Sequence, residues 1–185
     1  KMVLDKYKLK EYAYHMLIAR MEPENNIETI LDGMTKSNSE MPFLVVGKTE
    51  NTFGQYLVNK YKNDSRILFV GGIYDLNDLN NLRYFSNYYF HGHSVGGTNP
   101  SLLEAMASSA FIVAHDNEFN GAVLEQEALY FKNSSEVANI LNSRISGSLR
   151  EEYILLNRKK ITEHYSWDKI INSYEKLFLK LAQSN

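Results

Sequence analysis

Short apolar runs alternate with amphipathic stretches along the first two-thirds of the chain. The runs lie at residues 14–19, 43–46, 67–70, 88–90 and 111–114, and each is apolar at successive positions. A strand reads this way when helices cover both faces of a parallel sheet. Between them, residues 27–36, 53–61, 76–85 and 101–108 have helical periodicity. In the first of these, Ile27, Ile30, Leu31 and Met34 fall at i, i+3, i+4 and i+7, one face of a helix. Repeated strand–helix alternation predicts an α/β fold, a doubly wound parallel sheet.

After Ala114 the pattern weakens. Residues 128–131 predict a sixth strand, and Ser134 or Ser135 is the expected cap of a helix reaching Leu141. From Ser148 onward the chain reads as helical with a break near Ser166. That serine is a suitable cap for a last helix whose Trp167, Ile170, Ile171, Tyr174, Leu177, Phe178 and Leu181 form one broad stripe. Residues 1–11 are polar, with four lysines, and read as a linker or lead-in. The expected division is therefore a lead-in over 1–11, one Rossmann-like domain over 12–165, and C-terminal helix over 166–185.

Composition narrows the function classes. At 185 residues and 44% apolar content the chain is sized for one domain with a full core. It has no cysteine, so disulfides and thiolate metal sites are excluded. Twenty Lys and Arg against 22 Asp and Glu give a net charge of −2, and no nucleic-acid partner is expected. No apolar run approaches the roughly 20 residues of a transmembrane helix. The start lacks both a signal-peptide core and an initiator Met. The expectation is a soluble, cytoplasmic domain cut from something longer.

In an open parallel sheet, ligands sit beyond the carboxyl ends of the strands, so the loops there carry the candidate chemistry. After the first strand comes Arg20-Met21-Glu22-Pro23-Glu24-Asn25-Asn26. An arginine at this place suits an anion, because its fork can grip phosphate; the alternative is a surface arginine paired with Glu22 or Glu24. After the third strand, Gly71-Gly72-Ile73-Tyr74-Asp75 reads as a turn, with Asp75 capping the next helix. After the fourth, residues 91–106 run His-Gly-His-Ser-Val-Gly-Gly-Thr-Asn-Pro-Ser-Leu-Leu-Glu-Ala-Met. Three glycines lead to Asn99, a good cap, and Pro100, a good first helical residue. Free N–H groups and the helix dipole then make an anion site, while Glu104 can accept ribose hydroxyls or simply complement the dipole. The segment matches neither the dinucleotide fingerprint nor the P-loop, against a dehydrogenase or ATPase. His91 and His93 lack a Cys or acidic neighbour to complete a metal site. The polar loop at 115–120 lines the same crevice or is a solvated turn.

The segment at 20–26 and the run at 91–107 resemble the C-terminal, nucleotide-sugar-binding half of retaining glycosyltransferases of family 4, which have the GT-B fold. More narrowly they are similar to the bacterial rhamnosyltransferases of capsule and lipopolysaccharide assembly. The Tyr165-Ser166-Trp167-Asp168 ending followed by a long helix is also similar. The resemblance covers roughly residues 12–182. It implies that Arg20 holds the donor diphosphate and that Glu104, the second glutamate of the family's paired motif, binds the ribose. It places Gly97, Thr98, Asn99 and Ser101 near the sugar and phosphates, and Ile73 and Tyr74 at the base.

Two positions depart from that family's pattern. Asn25 stands where a lysine commonly meets the second phosphate, and Gly96 stands where the first glutamate falls. The missing contacts would come from elsewhere, with His93 and Lys48 as candidates, and a sugar with fewer hydroxyls, such as rhamnose, fits. The resemblance implies no metal and no cofactor, a nucleoside-diphosphate-sugar donor, and a glycan or lipid-linked acceptor held by an N-terminal domain absent from this chain. It also implies peripheral membrane association of the full-length enzyme. The competing classes are a GT-B-fold sugar-nucleotide epimerase, which the histidines keep open, and a non-catalytic nucleotide-binding module.

Overall fold

The computed structural model of the protein describes residues 2–183. One sheet holds the strands β1 (His15–Ile18), β2 (Phe43–Val46), β3 (Ile67–Phe69), β4 (Tyr88–His91), β5 (Ile112–His115) and β6 (Leu129–Phe131). All neighbours are parallel, in the order β3-β2-β1-β4-β5-β6. The chain winds from β1 out to β3, then crosses back to place β4 on the other side of β1. That reversal is the switch point, where a crevice opens beyond the strand ends. The α/β, doubly wound Rossmann-like architecture is thus the observed one.

Both faces of the sheet are covered because successive strand residues point to opposite sides. Met16, Leu44, Val46, Tyr89, Ile112 and Ala114 are buried on one face, against α4 (Leu76–Phe85), α5 (Pro100–Ala107) and α6 (Glu118–Leu124). Leu17, Phe43, Val45, Phe90 and Val113 are buried on the other, against α2 (Ile27–Lys36), α3 (Thr52–Tyr61) and α7 (Ser134–Asn142). Asn51, Asp75, Asn99, Asn117 and Asn133 cap α3 to α7 with their side-chain oxygens. For α7 the cap is Asn133 rather than Ser134 or Ser135. Its Oδ1 accepts from both Ser135 and Glu136 N–H at 3.0 Å, a reach that a hydroxyl at the next position does not have.

The lead-in expected over residues 1–11, of which Lys1 lies outside the described residues, is structured from residue 2. Residues Met2–Lys6 form α1, and Val3, Leu4 and Leu9 are buried in the same core cluster as Leu79 and Leu82 of α4. The lysines hid these apolar positions, since their charged heads stay in water while the backbone docks. At the other end, α8 (Gly147–His164) packs on α5, and α9 (Trp167–Gln183) follows the break at Ser166. The stripe on α9 is open, with Trp167, Ile171, Tyr174, Leu177, Phe178 and Leu181 exposed. Among the described residues no helix is long and apolar enough to cross a membrane.

The exit of β1 is clamped between two glycines. A Cβ on Gly47, after β2, would lie 2.1 Å from the Ala19 carbonyl oxygen. A Cβ on Gly92, after β4, would lie 2.0 Å from the Asn25 carbonyl oxygen. Both contacts are with backbone, which cannot step aside as a side-chain tip can. Gly92→Ala is therefore expected to lose about 1–3 kcal/mol of stability, the range for overpacking a tight site. In a chain of this size that lowers the thermal midpoint by roughly 2–4 °C for each kcal/mol. Gly97, with nothing within 4 Å of its would-be Cβ, is the control. Equal melting points for Gly92→Ala and Gly97→Ala would contradict the clamp.

Candidate functional site

A cleft of about 660 Å³ opens at the carboxyl ends of β1 to β4, at the switch point. Its floor is apolar: Leu17, Ile18, Ile30, Val46 and Phe90 line it. Its rim is polar, with Arg20, Glu22, Lys48, Glu50, Asn51, His91, His93, Asn99 and Ser101. A large concave site with an apolar bed and few convergent polar groups is the form that small-molecule sites take.

The loops that make the rim are bonded to one another. After β1 a 3-10 turn, Pro23–Asn25, leads to Asn26, which has a left-handed φ of 50°. Asparagine tolerates that conformation better than most residues. Asn26 Nδ2 donates to the Gly92 carbonyl at 2.8 Å. Asn25 is buried, donates from Nδ2 to the Arg20 carbonyl at 2.8 Å, and lies 2.8 Å from His93 Nδ1 through its Oδ1. Both the N–H and the hydroxyl of Ser94 donate to the Glu24 carbonyl. From the other side, Asn117 and Asn120 donate their Nδ2 groups to the His93 carbonyl at 3.1 and 3.0 Å. Asn51 Nδ2 ties the loop after β2 to the Met21 carbonyl at 2.7 Å. The rim is consequently preformed around Arg20, whose guanidinium makes no bond or ion pair with the described residues.

The structure brings together most of the residues expected from sequence. Arg20, Ile73, Tyr74, His93, Asn99 and Ser101 all line the cleft. Tyr74 is exposed, and Lys48 Nζ stands 5.9 Å from its ring centre. Asn99 Oδ1 caps the Ser101 N–H at 2.9 Å, so the start of α5 faces the cleft. Ser101 Oγ is held 3.0 Å from the Tyr89 hydroxyl. Gly96, Gly97 and Thr98 are exposed at the tip of the loop, outside the cleft wall. Gly96 has a φ of 88°, a conformation that glycine adopts without strain.

Glu104 lies elsewhere. It lines a second cavity, beside α4, with Asn77, Asn80, Tyr84 and Arg158. Its Oε2 accepts from Arg83 at 2.6 Å; Arg83 is almost wholly buried, while the Glu104 side chain is 49% exposed. Arg83 also donates to Asn80 Oδ1 at 3.1 Å. Ser101, one turn earlier on α5, lines the cleft, whereas Glu104 lines the second cavity.

The imidazoles are not gathered into a metal centre: among the described residues no group of three His, Asp or Glu side chains is placed to hold an ion. Burial, and secondarily the proximity of His93, pushes His91 down to about 3, so His91 is neutral near pH 7. Its Nε2 is buried, with no partner among the described residues. Asn26, Asn117 and Asn120, which hold the rim, carry no sequence expectation of their own, and Asn25, expected only as a departure from the family pattern, holds it with them. The signal available for them was their density in the two loops already singled out.

A family model described as glycosyl transferases group 1 matches residues 5–176. No curated protein matches the chain. Among solved structures, sucrose-phosphate synthase from Thermosynechococcus elongatus superposes with a TM-score of 0.79 at 18% identity, covering 99% of this chain and 49% of that one. The C-terminal domain of a glycosyl transferase group 1 family protein from Francisella tularensis gives 0.72 at 19%, covering 90% and 92%. Anabaena HepE in complex with UDP and glucose gives 0.80 at 15%, covering 97% and 51%. The chain spans about half the length of the first and third of these, and nearly all of the isolated C-terminal domain. At such identities the likeness establishes the fold, and the family match establishes kinship: the chain belongs to the group 1 glycosyl transferases and has the fold of one Rossmann-like half of a GT-B enzyme.

Proposed function

We infer that this domain binds the nucleoside-diphosphate sugar donor of a glycosyltransferase, which moves the sugar to a glycan or lipid-linked acceptor with retention at the anomeric carbon. The observation that carries the reading is the preformed cleft. Arg20 and Lys48 stand on its rim with the start of α5, above an apolar bed. Two cations and a helix N-terminus favour a diphosphate, and the charge that develops on it as leaving group is what such a site stabilises. Ile73 and Tyr74 bound the end of the cleft at β3, where a base has an apolar surface and an aromatic ring to lie on. HepE has been solved with UDP and with UDP-glucose, which supports a donor of that class.

Rhamnose fits as the transferred sugar because Gly96 leaves no carboxylate for one of the hydroxyls that a fuller hexose carries. The acceptor would be held by an N-terminal half of the enzyme, working on the cytoplasmic side of a membrane. Arg20, Lys48 and the α5 N-terminus neutralise the diphosphate without a bound metal in this reading. Proximity of acceptor to donor accounts for roughly 7–11 kcal/mol of barrier reduction in such reactions, and one domain supplies one wall of the cleft only.

Calorimetric titration in excess chelator tests the reading. Binding of UDP, or of another nucleoside diphosphate, is expected to persist without metal. Arg20→Ala is expected to weaken it 10- to 100-fold, about 1.5–3 kcal/mol for a charge-assisted phosphate contact. Unchanged affinity in a folded Arg20→Ala protein would remove the phosphate role, and binding that appears only with magnesium would remove the metal-free site.

Glu104→Gln separates bracing from ribose recognition. Arg83 loses its charged partner, so stability is expected to fall by about 1–3 kcal/mol, less than for a fully buried pair because Glu104 is half-exposed. If the free side of the carboxylate also receives ribose hydroxyls, UDP affinity falls while pyrophosphate affinity stays nearly unchanged. Parallel loss of both ligands would leave Glu104 as a brace alone.

A further inference from the structure

The buried side chain of Asn25 decides which nitrogen of His93 carries a proton. Its Nδ2 lies 2.8 Å from the Arg20 carbonyl oxygen. A carbonyl only accepts, so this end of the amide must be the donating one. The other end, Oδ1, therefore faces His93 Nδ1 at 2.8 Å. An amide oxygen also only accepts, so the proton of that contact sits on Nδ1. In a neutral imidazole the second nitrogen is then a bare acceptor. His93 Nε2 has no protein partner among the described residues, and the residue lines the cleft. Asn117 and Asn120 also hold the backbone at His93, through its carbonyl oxygen.

We propose that His93 Nε2 accepts a hydrogen bond from a hydroxyl of the donor's sugar, and that Asn25 is the positioning residue that makes it an acceptor. The proposal rests on the donor-binding reading of the cleft. A phosphate oxygen brings a lone pair and no proton, so it gains nothing from a bare nitrogen; a sugar hydroxyl brings the proton required. The diphosphate is left to Arg20 and Lys48, the cations of the same rim. Gly96 contributes no side chain to the sugar, and His93, three residues earlier in the same loop, supplies the acceptor that is absent there.

Two measurements test this. The first is calorimetry at pH 8 on wild-type, His93→Ala and Asn25→Ala proteins with UDP, UDP-glucose, TDP and TDP-rhamnose. The quantity read is the affinity for the nucleotide sugar divided by that for its nucleotide. His93→Ala is expected to lower this ratio roughly 3- to 10-fold, the worth of one hydrogen bond, with nucleotide affinity nearly unchanged. Asn25→Ala is expected to lower it in the same direction, which a general loosening of the rim would not do. Equal loss for nucleotide and nucleotide sugar would overturn the proposal in favour of a phosphate contact, and an unmoved ratio would overturn it outright. The second measurement is the long-range proton–nitrogen NMR spectrum of the wild-type imidazoles, which is expected to show His93 protonated at Nδ1 and bare at Nε2. Protonation at Nε2 would overturn the proposal without any ligand. A wild-type chain that binds none of the four ligands would instead remove the donor-binding reading, and this proposal with it.

Discussion

The Asn25 carbonyl can approach the fourth strand's exit only because residue 92 has no side chain, and the rest of the site depends on that approach. It brings the loop after β1 against the loop after β4 at the point where the sheet changes winding direction. Once they meet, Asn26 bonds to the Gly92 carbonyl, Ser94 bonds to the Glu24 carbonyl, and Asn25 spans from the Arg20 backbone to His93. Each bond replaces water at a buried or half-buried polar group, so each is costly to leave unmade once its partner is in place. The result is a rim held by short side-chain-to-backbone bonds, with the cations left for a ligand.

This arrangement separates structural polar groups from those with free valence. The asparagines spend their amides on backbone carbonyls. Arg20 and Lys48 spend little of theirs within the protein. His91, buried at the end of β4, is kept neutral and adds no charge to the cleft. The electrostatic character of the site therefore comes from two side chains and a helix start, set among Glu22 and Glu50. A chain with net charge −2 can still gather two cations at one cleft by this means.

Much of the fold could be read from the order of residues. The strands at 43–46, 67–70 and 88–90 and the helices at 27–36 and 76–85 follow from period and capping, because a strand buried on both faces has few other patterns open to it. The core contribution of residues 2–9 was not legible: three apolar side chains among lysines have no period to detect, and only docking reveals them. Position at a strand end put Arg20, His93, Asn99 and Ser101 in loops that line the cleft. Glu104 shows the limit. Its partner Arg83 lies on a neighbouring helix 21 residues earlier, and no local pattern couples them. The same holds for Asn25, whose identity as an asparagine matters through a histidine 68 residues away.

The central claim is that the β1–α2 and β4–α5 loops form one preformed anion site at the switch point. Amide NMR of the isotope-labelled chain titrated with UDP tests it most directly. The account predicts that the shifts which move cluster at residues 19–26, 47–51, 72–74 and 91–101, with α9 and the strand amino ends still. Shifts confined to α9, or to the cavity beside α4 with the β1 exit unmoved, would contradict it.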